Sequence, residues 1–134
     1  MKKLLTVCLL AFAAAGATGC RRAAEGVKPK LMWLDCSANW GGFSYPDSIR
    51  YYVNKCREAG MTALVLDVKG TSSEVVYPSE HAPQVREWKG FARPDFDFVG
   101  TFVEAAHDAG LEIYGSFNTF AEGNGVFRRG LIYD

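Results

Sequence analysis

The chain has 134 residues, with 15 basic and 15 acidic side chains and a formal net charge of zero. With no basic stripe and no long block of like charge, the composition argues against a nucleic-acid partner. Four cysteines are present, and no Cys/His cluster has the spacing of a zinc site, so neither a metal nor another cofactor is expected.

The first twenty residues read as a leader and not as part of the fold. Lys2 and Lys3 form a positive n-region. Leu4 to Ala15 is an apolar h-region, too short for a comfortable membrane span. The segment closes on Ala17-Thr18-Gly19-Cys20, which resembles the lipobox of bacterial lipoproteins, with Ala17 where Leu is more usual. Residues 1–20 are therefore expected to be a lipoprotein signal peptide, and Cys20 the lipidated first residue of the mature chain. An ordinary secretory peptide cut nearby is the alternative. Arg21 to Lys30 is polar, contains Gly26 and Pro29, and reads as a tether. The implied location is exported and membrane-anchored, at the outer membrane or cell surface, with the membrane reached through Cys20.

Leu31 to Leu34 is predicted as the first strand, followed by a loop from Asp35. A helix follows from Asp47 to Ala59, then a strand from Ala63 to Val68. A long connection, Lys69 to Arg93, is broken into turns by Pro78 and Pro83, with Pro94 just beyond. A second helix is predicted over Phe96 to Ala109 and a third strand over Glu112 to Phe117. The tail from Asn118 is a loop, with Leu131-Ile132-Tyr133 as a short extended piece.

The helix-then-strand unit occurs twice. Ile49, Tyr52, Val53 and Cys56 match Val99, Phe102, Val103 and Ala106 at i, i+3, i+4, i+7 spacing. Asp47 and Asp97 stand at the N-cap positions, and Gly60 and Gly110 where a C′ residue belongs. Strands alternating with helices predict a parallel sheet with ligands at the carboxyl ends of its strands. The fold expected is α/β: residues 31–134 as the first three βα units of a (β/α)₈ TIM barrel, truncated, since a closed barrel takes about 250 residues. The chain thus reads as the front of a longer protein, and a small complete α/β protein is the alternative.

Asp35, Asp67, Lys69 and Asn118 fall at or beyond these strand ends. Carboxylates there are suited to binding sugar hydroxyls or to acid–base chemistry. Lys69 is expected to hold Asp67 ionised by proximity, or to form a structural ion pair with it. Asn118 reads as a loop-orienting or ligand-contacting amide. Glu74 and Glu80 share the long connection, and the sequence does not choose between them. His81 and His107 are weak candidates. Several aromatics fall in loops, where core packing is the default and sugar stacking the alternative. Trp40 and Trp88 are the best placed for stacking. Cys36 and Cys56 are predicted to remain thiols, because they sit at opposite ends of the sheet and a disulfide needs Cα atoms within about 7 Å.

Leu64-Val65-Leu66-Asp67-Val68-Lys69-Gly70, Val76-Tyr77-Pro78-Ser79 and the stretch from Asp97 to Phe120, with Ser116-Phe117-Asn118, together resemble the family ten glycosyl-hydrolase-like proteins. The resemblance runs from Met32 to Asp134. It departs from the family where Asp67 and Lys69 replace part of an Arg-rich stretch, and where Thr119 replaces a common Pro. It implies a glycoside hydrolase barrel acting on a polysaccharide or peptidoglycan-like polymer. Catalytic carboxylates would lie on later strands, so none is assigned here and this fragment would be inactive alone. Substrate contacts are expected from Asp35, Trp40, Asp67, Lys69 and Asn118. The competing expectation is a non-catalytic glycan-binding surface lipoprotein on the same barrel.

The Gly19-Cys20 junction makes a direct prediction. Labelled palmitate should enter the protein expressed in a bacterium with lipoprotein processing, and Cys20→Ser should lose the label. Equal labelling of both would rule out the anchor.

Overall fold

The structure is a computed structural model that describes residues 28–92 and 95–133. The signal peptide, Cys20 and most of the tether lie outside the described residues. In chain order the elements are β1 (Leu31–Leu34), a one-turn α1 (Cys36–Asn39), α2 (Pro46–Glu58), β2 (Ala63–Lys69), a hairpin of β3 (Glu87–Trp88) and β4 (Phe91–Ala92), α3 (Phe98–Asp108) and β5 (Glu112–Phe117). A 3-10 turn at Leu131–Tyr133 follows.

β2 is the centre of a three-stranded parallel sheet, ordered β1-β2-β5. Its register aligns Trp33 with Val65 and Tyr114, and Leu34 with Leu66 and Gly115. Because side chains alternate along a strand, one set points to each face. Leu34, Leu64, Leu66 and Val68 are buried in one core with Ile49 and Val53 of α2 and Phe102 and Ala106 of α3. The alternate set includes Trp33 and Tyr114, which are 61% and 51% exposed. Both long helices therefore cover the same face, and neither covers the other, where the loop after β2 reaches Asp67 but Trp33 and Tyr114 stay exposed.

The helix boundaries follow local chemistry. In α3, Asp97 caps the helix as its spacing predicts, accepting from the Gly100 N–H at 2.9 Å. The expectation for α2 is corrected. Pro46 opens that helix, Tyr45 is its N-cap without a side-chain bond, and Asp47 falls inside the first turn. Proline at the first helical position has its φ preset and no N–H to satisfy, so the capping position falls at Tyr45, two residues before Asp47. At the far ends the two helices stop identically. Met61 N–H reaches Cys56 O and Gly60 N–H reaches Arg57 O, and Leu111 and Gly110 repeat the pattern onto Ala106 and His107. These are Schellman closures, and Gly60 and Gly110 supply the positive φ they need, at +78° and +71°.

The barrel expectation is also corrected. The structure is a small α/β fold with one three-stranded parallel sheet and one two-stranded antiparallel ribbon. It does not present three successive βα units of a barrel. The connection after β2 forms strand pairing of its own, through β3–β4 and bridges such as Lys69↔Val75 and Val75↔Gln84. After β5 the described chain runs through bridges and turns and forms no helix on the sheet. Residues 131–133 coil into a 3-10 turn where an extended piece was predicted.

Phe102 is the centre of the packing. It has no solvent exposure, and its ring meets Phe43 at 5.1 Å and Phe98 at 5.2 Å in edge-on geometries. Phe102→Ala should cost about 3–5 kcal/mol, the usual range for emptying a buried aromatic site. Urea unfolding would read this as a lowered midpoint with an unchanged slope. A change under about 1 kcal/mol would show that the α2–α3 seam is not the core.

Candidate functional site: a cavity at the strand ends

The three parallel strands bring their carboxyl ends to one side of the sheet, and the loops that follow them meet there. The connection after β2 folds back on that end. Val76 N–H bonds Val68 O at 3.1 Å, and Val85 N–H bonds Val75 O at 3.0 Å. Two indoles then tie it to the loop after β1. Trp88 Nε1 donates to Ser37 O at 2.9 Å, and Trp40 Nε1 donates to Phe91 O at 3.1 Å. Between these layers lies a cavity of about 70 Å³. Asp67, Glu74, Ser37, Ser72 and Thr71 line it on the polar side, and Trp40, Val76, Val85 and Trp88 on the apolar side. A space of this size holds a few waters or one small polar group, and not a whole sugar ring.

The structure separates the candidate residues. Asp67 lines the cavity. Its Oδ1 is closed off from solvent and has no hydrogen-bond partner among the described residues. Burial, and next the charge of Asp35, push its carboxyl above the ordinary range. Asp35 is instead the N-cap of α1. One of its oxygens accepts from the Ser37 hydroxyl at 2.7 Å and the Ala38 N–H at 2.9 Å. Burial opposes its ionisation, but the Ser37 hydroxyl and the backbone N–H groups outweigh that and hold the carboxyl below the ordinary range.

The expected Asp67–Lys69 partnership is absent. Asp67 and Lys69 are two apart, but a register shift lies between them and Lys69 is drawn elsewhere. Its Nζ donates to Asn118 O at 2.8 Å, Ala121 O at 2.9 Å and Glu122 Oε1 at 3.1 Å. Asn118 returns a bond from Nδ2 to Lys69 O at 3.1 Å. Lys69 and Asn118 therefore brace the loop after β5 and, like Asp35, are not among the cavity-lining residues.

Trp40 and Trp88 line the cavity but are only 2% and 8% exposed. Each is fixed by its indole bond, and Trp40 packs on Phe98 at 5.3 Å. They are walls and braces, without the free face a stacked sugar needs. Cys36 and Cys56 are buried free thiols. Burial, and then the charges of Asp67 and Asp35, raise the Cys36 thiol so far that it stays protonated and a poor nucleophile.

Of the two glutamates left open by the sequence, the structure selects Glu74. It lines the cavity, pairs with Arg129 at 2.6 Å and accepts from the Ser72 hydroxyl at 3.0 Å. Glu80 is exposed. Ser37, Gly70, Ser72 and Asn124 at the cavity, and Arg129 behind it, were not singled out from sequence. Asn124-Gly125 reads as a turn signal, but nothing local says that this turn reaches the cavity.

No family model matches this chain, and no solved structure does. Among curated proteins, an S-layer-related protein of Niallia circulans is 33% identical over 105 residues, taking in 72% of this chain. The match spans only 6% of that protein's length. The resemblance to family ten glycosyl-hydrolase-like proteins is therefore not upheld. Its ordered series of short motifs lies in helix-capping and strand segments that many parallel α/β chains require, so the series is a weak family marker.

Asp67 makes a prediction about pH. The folded state releases the proton of this carboxyl at a higher pH than the unfolded chain, whose carboxylate has the ordinary pKa of 3.8. Folding is therefore penalised as pH rises from that value through the raised folded one. Asn cannot ionise, so Asp67→Asn should match the wild type in acid and melt higher than it at neutral pH. A difference in Tm that is constant across the pH range would contradict this environment for Asp67.

Proposed function

We propose that this chain is a cell-surface protein that binds a glycan, with the strand-end cavity receiving one polar substituent of a sugar. The observation that carries the reading is Asp67 Oδ1, a carboxyl oxygen shielded from water and lacking a donor. A buried polar atom without a partner is costly, and Asp67 also lines the cavity, where a ligand donor can meet the rest of its carboxyl. The neighbouring hydroxyls of Ser37, Thr71 and Ser72 offer further contacts to a polyhydroxyl ligand. The site also stands where ligands of parallel α/β sheets bind, outside the strands' carboxyl ends. The leader-like first twenty residues and the similarity to an S-layer-related protein support the surface location. A lipid on Cys20 is the finer form of that location.

A hydrolytic reading has one specific observation in its favour. Glycoside hydrolysis uses an acid and a carboxylate on either side of the scissile bond. Asp67, protonated more readily than an ordinary carboxyl, and Glu74, ion-paired with Arg129, line the same cavity. Release of reducing ends from a bound oligosaccharide, lost in Glu74→Gln, would support hydrolysis over binding alone.

Gly70 provides the direct test. It lines the cavity, and a Cβ added there meets no atom within 4 Å. Gly70→Leu should therefore fill the entrance without disturbing the fold. Affinity electrophoresis through immobilised polysaccharides should show retention of the wild type and none of the variant, with Tm nearly unchanged. Retention of the variant at wild-type strength would place glycan contact elsewhere.

A further inference from the structure

We propose that the cavity is selective for a primary ammonium group, so that the glycan it takes is one bearing free amino sugars. This rests on the glycan reading above and narrows it to a substrate class.

The argument is a charge count around the cavity. Its lining contains two carboxyl groups, Asp67 and Glu74, and no Lys, Arg or His. Glu74 is balanced by Arg129, whose other guanidinium nitrogen donates to Glu87 O at 2.6 Å. Lys69, the cation closest in sequence to Asp67, is committed to Glu122 and two backbone carbonyls. Asp35 is satisfied by its own cap bonds. Asp67 is left with an oxygen that no donor reaches among the described residues.

A ligand that completes this site brings donors and positive charge. An ammonium is compact and carries three donors with no acceptor, which suits one carboxylate flanked by hydroxyls. Anionic groups such as sulfates or uronic carboxylates would meet like charge.

Calorimetry on the full chain with size-matched oligomers of glucosamine, N-acetylglucosamine and glucose tests this. The wild type should bind the glucosamine oligomer at least about tenfold more tightly than the other two, as expected for one charge-assisted hydrogen bond. Asp67→Asn should bind all three alike, and Gly70→Leu, which keeps the Asp67 carboxyl, should bind none. Equal binding of the three oligomers by the wild type would overturn the ammonium assignment and leave the glycan reading standing. Binding of none would overturn both. A glucosamine preference that survives in Asp67→Asn would trace it to general surface charge and refute Asp67 as its source.

Discussion

The structure depends on the burial of one face of its central strand. β2 is paired along both edges and presents Leu64, Leu66 and Val68 to the helices. Parallel partners on both sides cannot be joined by tight turns, so each requires a crossover. α2 and α3 supply the two crossovers, and their inner faces are what cover β2. Emptying that layer would leave the pairing without its hydrophobic support, since backbone hydrogen bonds alone contribute only about 1 kcal/mol each against water.

The same constraint creates the site. Each crossover returns the chain to the same end of the sheet through a Schellman closure at a glycine. All three strands therefore release their loops at one end. The loops there need partners for their polar backbone groups, and the connection after β2 finds them by bridging to the strand end and by exchanging indole bonds with the loop after β1: Trp40 donates to Phe91 O, and Trp88 donates to Ser37 O. The cavity is the space this arrangement leaves. Asp35 and Asp67 both lie at this end and meet opposite fates. Asp35 is followed by a helical turn whose N–H groups satisfy it. Asp67 is enclosed where the strand continues and no donor faces it. That contrast concentrates the site's unsatisfied chemistry on a single carboxyl.

The sheet face that neither helix covers and the two free edges are the other consequence. Trp33 and Tyr114 stand on one rung of that face, and the outer strands β1 and β5 each have one unpaired side among the described residues. An edge of this kind pairs readily with other chains.

The sequence by itself determined the parallel β-α-β-α-β order, the buried Ile49, Val53 and Cys56 of α2 and Phe102 and Ala106 of α3 (though not the exposure of Tyr52 or the burial of Phe98 and Ala105), the Asp97 cap and the glycine closures. Each is a local rule: periodicity, capping and positive φ are written within a few consecutive residues. It also determined that the strand ends after Leu34 and Leu66 are where polar chemistry gathers. Tertiary structure decided the rest. Whether Lys69 pairs with Asp67 or Glu122 depends on a loop more than fifty residues away, because a long flexible cation goes to whichever carboxylate and carbonyls the fold brings within reach. Whether Trp40 and Trp88 stack on a ligand or brace a loop depends on Phe91 O and Ser37 O, each 51 residues from its indole. The choice of Glu74 over Glu80 was made by Arg129, 55 residues on. The barrel expectation failed for the same reason. Helix and strand periods describe each element's own faces, whereas the layer that forms depends on how the long connections pair, and that pairing is non-local.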